Sequence, residues 1–562
     1  MTNRPTLHGT RHAISAGHYL AAAAGFAILE AGGNAVDAGC AAGIALAVLQ
    51  PDLVNVAGVA PILIRRANGE VESIAGLGTW PRALPADLFM REHGGKIPDG
   101  VLRTVVPAAP DAWITALRRH GTMRFADVAA SAIRFAADGF SVYPLLATSI
   151  AAHAEEYRRY PSNTAIFLRN GTPPAIGEKF VQADLARTLQ YMADQDRAAP
   201  DRITGLQAAH DAFYRGDIAR EIVAFQRREG GYLTMDDLAA YRSPTEPVVR
   251  RHWRGHEVIV CGPWCQGPAL LEALALVEHL GLDGLAHNSP EYLHRVVECI
   301  NLALADREHF FGDPAFVDVP VDHLLDPSTI ARRAAAVRDD RAFGRMPPPL
   351  DAAEIPRAAS ASELPKVEAD TSYCCVVDRW GNAFSATPSD GCGNVPIVPG
   401  LGIAPSGRGS QSRPDPAHPS GIAPGKRPRL TPNPAMVVTR AGGVMPFGTP
   451  GGDVQTQAML QVLLNVLHFG MDLQSAIEAP RVASYSFPSS FAPFEYFPGR
   501  LAVEGRIEPR TRDALAARGH EIKEWPDWTW LAGSVEAILT DPETGLIAAG
   551  ADPRRPAYAI AI

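Results

Sequence analysis

The sequence predicts a layered α/β, or α+β, body whose sheets are filled from both parts of the chain, and two patterns predict it. Helical periodicity dominates the first two thirds, whereas short β-rich runs bounded by Gly and Pro crowd the last third. That open, mixed order is the order of helices packed on sheets. Size and composition agree: 562 residues suit roughly three or four units or one two-lobed body, and 46% hydrophobic with 20% charged residues is ordinary for a globular chain.

Taken in order, the Ala-rich start predicts two buried helices over 15–30 and 34–50, with Gly32 and Gly33 stopping the first and Asn34 opening the second. Glu30, Asn34 and Asp37 interrupt the apolar residues too early for a membrane span. The runs 61–66 and 71–75 flank Ala67-Asn68-Gly69 and read as a hairpin. Helical patterns follow at 110–120, 124–138, 185–194, 208–229, 268–280 and 289–311. Between 341 and 364 the pattern breaks, and Pro347, Pro348, Pro349 and the Ala-Ser stretch at 359–362 mark a linker. Beyond it, 371–377 and 382–387 read as a hairpin turning at Asp378-Arg379-Trp380-Gly381. The Pro- and Gly-rich stretch 400–429 reads as loop, 435–439 as a strand, 455–469 as an apolar helix, and 534–539 and 546–549 as closing strands.

Composition also excludes. With 52 Lys and Arg against 61 Asp and Glu and no run of five like charges, binding to nucleic acid or anionic lipid is disfavoured. Seven irregularly spaced cysteines do not make a disulfide framework, and residues 1–15 lack the continuous apolar stretch of a signal peptide; together they predict a reducing, cytoplasmic setting. No G-x-S-x-G elbow occurs, and Gly421 to Arg427 is one residue short of a phosphate loop. Cys261 and Cys265 lack a second pair at zinc spacing, and Asp313, Asp318, Asp322 and Asp326 lack the calcium-loop pattern, so no metal or organic cofactor is expected.

One constellation carries chemistry. Thr371 opens a predicted strand directly after the acidic Glu368-Ala369-Asp370. Cleavage of the Asp370-Thr371 bond would free an α-amine, of pKa about 7.7–8.0, able to act as base for the hydroxyl of the same residue. Gly451-Gly452, after a strand and opening a helix, offers unhindered backbone N–H groups to a developing oxyanion.

These residues and their neighbours resemble the γ-glutamyltransferase family, an N-terminal-nucleophile (Ntn) hydrolase group made as a proenzyme. The resemblance is carried by Ala31-Gly32-Gly33-Asn34-Ala35-Val36-Asp37-Ala38, by His287-Asn288-Ser289-Pro290-Glu291-Tyr292-Leu293-His294, and by Gly312-Asp313-Pro314. Further on it is carried by Asp370-Thr371-Ser372-Tyr373, Lys426-Arg427-Pro428 and Gly448-Thr449-Pro450-Gly451-Gly452-Asp453, in register over nearly the whole chain. It implies a four-layer αββα fold, cleavage between Asp370 and Thr371, a large subunit 1–370 and a small subunit 371–562 that stay intertwined, and association into a dimer of such pairs.

By position, the resemblance implies Thr371 as nucleophile, Ser389 as its supporting hydroxyl, and Gly451 and Gly452 as the oxyanion hole. Thr431 falls at one of two serines that hold the γ-glutamyl carboxylate, and Leu430 replaces the other. Leu77 occupies the place of the substrate-gripping arginine, Arg82 being out of register, and no carboxylate stands in 406–411 where the family binds the substrate amine. Losing those charge-assisted bonds disfavours a zwitterionic glutamyl head. Arg408 either faces an anionic group, as in the acylase-like branch, or is a solvated loop residue.

The leading expectation is an autoprocessed amidohydrolase or acylase cleaving a small carboxamide or N-acyl bond through an acyl-Thr371 intermediate. The alternatives are a γ-glutamyltransferase or glutathione hydrolase, an acyl C–C bond hydrolase of secondary metabolism, and a non-catalytic scaffold. For the scaffold, Gly391 stands where the family has a supporting asparagine, with Asn394 nearby, and Cys374, Cys375 and Cys392 are packing residues.

Overall fold

The computed structural model describes residues 2–351 and 371–562. Two seven-stranded sheets lie at its centre. Along the first, the strands run Leu7–Gly9, Ile547–Ala551, Glu536–Thr540, Val444–Gly448, Ala435–Val438, His256–Val260 and Val249–Trp253. Along the second they run Tyr558–Ala561, Ala13–Ala16, Cys374–Val377, Ala383–Ala386, Ile62–Arg65, Val71–Ile74 and Thr245–Glu246. Every pairing within the two sheets is antiparallel, and each sheet takes strands from both sides of residue 371.

Side-chain alternation along the strands sorts three cores. Ile14, Ala16, Cys374, Val376, Phe384 and Ile64 point to one face of the second sheet, where they meet the helices Tyr19–Glu30 and Ala35–Leu49. Ala13, Leu63, Cys375 and Val377 point to the other face and meet Ile259, Met436, Ile538 and Ala549 of the first sheet. Val258, Val260, Ala435, Val437 and Phe447 cover the outer face of the first sheet beneath the helices Gly267–Leu280, Pro290–Phe310 and Val454–Leu467. The stacking is therefore helix, sheet, sheet, helix, the αββα order of Ntn hydrolases. Cys374 and Cys375 lie in different cores, as strand alternation requires.

Local sequence explains the layer nearest the site. The helix Ala35–Leu49 begins with a capping box in which Asn34 and Asp37 exchange side chain-to-backbone bonds. It is buried along its whole length. Gly39 lets it lie on the sheet, since a Cβ there would stand 2.1 Å from the Phe384 ring.

Several expectations need correction. The first helix starts at Tyr19; residues 13–16 are an interior strand, because Ala16 pairs with both Cys374 and Tyr558, and His18 caps the helix behind it. The pattern at 124–138 breaks at Ala129 into Phe125–Val128 and Ala130–Asp138, and that at 208–229 breaks at Gly216. Of the linker, 352–364 lies outside the described residues, as does Asp370, while Met346 and Leu350 pack in the core. Among the described residues no helix is long and apolar enough to cross a membrane.

Candidate active site

The central strand Cys374–Val377 positions the site. Just before it, the Tyr373 hydroxyl bonds Ser385 Oγ at 2.6 Å, Gly17 donates its N–H to the Tyr373 carbonyl at 2.9 Å, and Ser372 donates to Pro388 at 2.9 Å. The backbone reaching Thr371 is thus fastened on both edges. Thr371 is fully buried; its N–H donates to the Leu53 carbonyl at 2.9 Å, and its own carbonyl accepts from Arg555 Nη1 at 3.3 Å. Its φ of +88° is in the left-handed region, which a β-branched residue enters at a cost of about 1–3 kcal/mol.

Thr371 Oγ1 stands 2.6 Å from Ser389 Oγ. Ser389 is held by a pair of backbone bonds with Val59, and Arg408 Nη2 donates to its hydroxyl. Arg408 is 1% exposed, with Nε 3.9 Å from Asp390 Oδ1 and its guanidinium 5.6 Å from the Phe491 ring. The solvated-loop reading of Arg408 is overturned: the short helical turn Arg408–Gln411 carries it inward. Asp390 supports that turn by accepting from Ser406 Oγ at 2.5 Å and from the Gly407 N–H at 3.3 Å. It is the acidic neighbour that the stretch 406–411 lacks.

Gly451 and Gly452 have φ of +122° and +57°, conformations that favour glycine. Among the described residues neither donates its N–H to any group, while the Gly452 carbonyl accepts from Gln266 Nε2 at 3.0 Å. Asp453, next in sequence, accepts from the Ser490 N–H at 2.8 Å and Oγ at 2.7 Å, and pairs with the buried Arg307. This seats Phe491 against Gly452, where a Cβ would be 3.2 Å from the ring. A cavity of about 740 Å³ opens here, lined by Arg408, Asp390, Gly451, Gly452, Phe491 and Asp52.

The other sequence-derived positions lie apart. Leu77 is fully buried in the core between the sheets with Trp264 and Leu430, and does not line the cavity, because the strand Val71–Ile74 leads it into that layer. Thr431 Oγ1 accepts from Gln411 Nε2 at 2.8 Å, tying it to the turn that bears Arg408. Gly391 presses on the Asp52 carbonyl, where a Cβ would be 2.2 Å away, and Asn394 lines the cavity. Sequence reasoning missed Asp52, Arg555 and Phe491, which arrive from distant loops with no local motif. Burial raises the thiols of Cys374, Cys375 and Cys392, which suits packing and not nucleophilic attack.

Away from the cavity, His294, Glu298 and His520 gather closely enough to be tested as metal ligands. The two rings are 2.9 Å apart, Nδ1 to Nε2, and His294 Nε2 donates to the Arg338 carbonyl at 2.7 Å. Burial lowers His520 to about 3 and raises Glu298 to about 7. The two imidazoles therefore bond each other, while Glu298 accepts from Asn301 Nδ2 at 3.3 Å and the Phe343 N–H at 3.1 Å.

The gamma-glutamyltranspeptidase family model matches residues 21–562. The glutathione hydrolase-like YwrD proenzyme of Bacillus subtilis is 31% identical over 557 residues, covering 99% of each chain. Among solved structures, LmbA2991HD superposes with a TM-score of 0.94 at 35% identity over the full length of both chains. The cephalosporin acylase of Bacillus halodurans superposes with a TM-score of 0.85 at 28% identity, covering 100% of this chain and 98% of its own.

Proposed function

Because this chain belongs to the gamma-glutamyltranspeptidase family of Ntn hydrolases, we propose that it is an autoprocessed amidohydrolase or acylase whose nucleophile is Thr371. The observation that carries the reading is the 2.6 Å contact of the buried Thr371 Oγ1 with Ser389 Oγ, which in turn accepts from Arg408, a residue that lines the cavity together with Gly451 and Gly452. In processing, Thr371 Oγ1 attacks the Asp370 carbonyl carbon, the amide nitrogen leaves with a proton, and water hydrolyses the resulting ester. The products are a large subunit 1–370 and a small subunit 371–562. The left-handed φ of Thr371 favours this step, since cutting releases the constraint on that residue.

In turnover the freed α-amine takes the proton of Thr371 Oγ1 as it attacks the substrate's acyl carbon. Gly451 and Gly452 donate to the oxyanion, and the amine returns the proton to the leaving nitrogen. Water, activated by the same amine, then cleaves the acyl-Thr371 ester. Arg408, placed against Ser389, sets a positive charge beside the acyl group and selects acyl groups bearing a nearby anionic or carbonyl oxygen. Likeness to a cephalosporin acylase supports hydrolysis of an N-acyl bond. The burial of Leu77 and the carboxylate-free 406–411 argue against glutathione as the preferred substrate.

The test is an intact-mass spectrum of the denatured protein beside its Thr371→Ala variant, followed by a panel of small amides. Two fragments in the wild type and one uncut chain in the variant are expected. One uncut chain in both would overturn self-processing.

A further inference from the structure

The mechanism leaves most of the cavity unused. Its volume of about 740 Å³ is that of a site for a drug-sized ligand, more than a small carboxamide fills. One short segment, 485–497, gives it an aromatic wall: Tyr485, Phe487, Phe491, Phe494 and Phe497 all line the cavity. Aromatic residues make up only 7% of the chain, so this density of rings belongs to the wall and not to the composition. Phe491 and Phe494 are part-exposed where they line the cavity, which leaves ring surface that a ligand can touch. Phe491 joins none of the apolar cores formed among the described residues, so packing does not account for it.

The segment is fastened to the parts that would react. Ser490 bonds Asp453, next to the Gly451-Gly452 turn, through both its N–H and its hydroxyl. The Ala492 N–H donates to the Ser410 carbonyl at 2.9 Å, on the turn that carries Arg408. Phe491 stands between these two ties, so its ring keeps a fixed place relative to both. Four of the rings are also held by cations: guanidinium groups lie over Phe487 (Arg307, 5.3 Å), Phe491 (Arg408, 5.6 Å), Phe494 (Arg413, 4.1 Å) and Phe497 (Arg500, 4.1 Å). Three of these arginines are buried and fixed in turn, Arg307 by Asp453 and Gln266, Arg408 by Ser389, and Arg413 by Glu308. Rings held in this way lose little rotamer freedom when a ligand settles on them.

We propose that Phe491 and Phe494 are specificity-determining residues for an aromatic or conjugated ring of the substrate, which stacks on the wall 485–497 while the acyl carbon reaches Thr371. The proposal rests on the reading of this cavity as the active site, and narrows the substrate from any small amide to a ring-bearing one. A flat unsaturated ring is preferred to a saturated one of similar size, because offset or edge contacts between π systems add to what apolar burial supplies. Area burial alone would favour the saturated ring, which is the larger and more apolar of the two.

Phenylacetate and benzylamine serve as probes, the first for a ring in the acyl half of the substrate and the second for a ring in the amine half. Cyclohexylacetate and cyclohexylmethylamine are their saturated counterparts of equal charge. Each is titrated by calorimetry into the wild-type protein, Phe491→Leu and Phe494→Leu. At least one aromatic probe is expected to bind the wild type about three- to tenfold more tightly than its counterpart, and the probe that does so assigns the ring to its half. The preference is expected to vanish in Phe491→Leu and to shrink in Phe494→Leu, where apolar volume is kept and the ring is lost. Equal binding within both pairs, binding of none of the four, or a preference unchanged in both variants overturns the proposal. The wild-type comparison decides even if a variant fails to fold. Intact mass on the same sample reports processing separately, so the nucleophile reading and the ring subsite fail by different measurements.

Discussion

Arg408 donates to the hydroxyl of Ser389, and this bond places a permanent positive charge one hydroxyl away from Thr371 Oγ1. Ser389 Oγ accepts from the guanidinium and shares a hydrogen bond with Thr371 Oγ1. Arg408→Lys keeps the charge but loses the planar fork. Because a hydrogen bond to a charged group contributes about 1.5–3 kcal/mol, kcat/KM is expected to fall about 10- to 100-fold in Arg408→Lys. Arg408→Ala is expected to lose more, measured by steady-state kinetics on the best amide of the panel.

Ser389→Ala separates support from attack. It is expected to leave Thr371 able to cut the chain, more slowly, with the half-time of processing lengthened about tenfold or more. Thr371→Ser is expected to cut, and Thr371→Ala is not. Time-resolved gel analysis of freshly refolded precursor measures each rate.

The Gly451-Gly452 turn is constrained by its backbone. Gly451→Ala puts a side chain at φ +122°, a conformation that L residues rarely adopt, so the turn must shift and misdirect its donors. Loss of one such donor typically lowers kcat by about 10²–10³, and that loss is expected here with KM little changed. Thermal melting separates this from unfolding.

Glu308 holds the loop that bears Arg408. It accepts from Arg413 Nε at 2.7 Å and Arg429 Nη2 at 2.8 Å, all three buried. Burial works against its charge, but Arg413 and Arg429 outweigh it and hold the carboxyl well below the usual range. The folded pKa is depressed, so the stabilisation is present above the ordinary value near 4.5 and is lost as pH falls through the folded value. Glu308→Gln is expected to destabilise the protein by about 3–5 kcal/mol at pH 7, read by chemical denaturation.

Asp52 has the opposite sign. Its pKa is raised from 3.8 to about 6, so the folded state holds the proton more tightly than the unfolded chain. Stability is therefore lost as pH rises through that interval. Asp52→Asn is expected to be more stable than wild type at pH 7, by on the order of 2–3 kcal/mol, with the difference vanishing near pH 4. Equal melting of the two proteins across that range would contradict it.

The hairpin 374–377 with 383–386 and the buried helix after Asn34 were legible because their signals are local: a Gly turn in one, a capping box in the other. Leu7–Gly9, Ala13–Ala16 and Tyr558–Ala561 were not. They are three or four residues long and exist through remote partners, Leu7 with Ala549 and Tyr558 with Ala16. The site divides in the same way. Thr371 and the Gly451-Gly452 turn carry their chemistry in adjacent residues, whereas the burial of Arg408 depends on Asp390, Ser389 and Phe491 converging from separate segments. Asp52 looks like an ordinary post-helix turn residue until the cavity is seen.

The interleaving of the two sheets has a consequence beyond geometry. If the chain is cut before Thr371 as proposed, the strand Cys374–Val377 remains wedged between Ala13–Ala16 of one piece and Ala383–Ala386 of the other. The cut protein would then occupy a state reached only through an ancestor that has been destroyed. Its denaturation should be a one-way event for dilute molecules, since two separate polymers must find each other where one chain once sufficed, and its working lifetime is set by how slowly it comes apart.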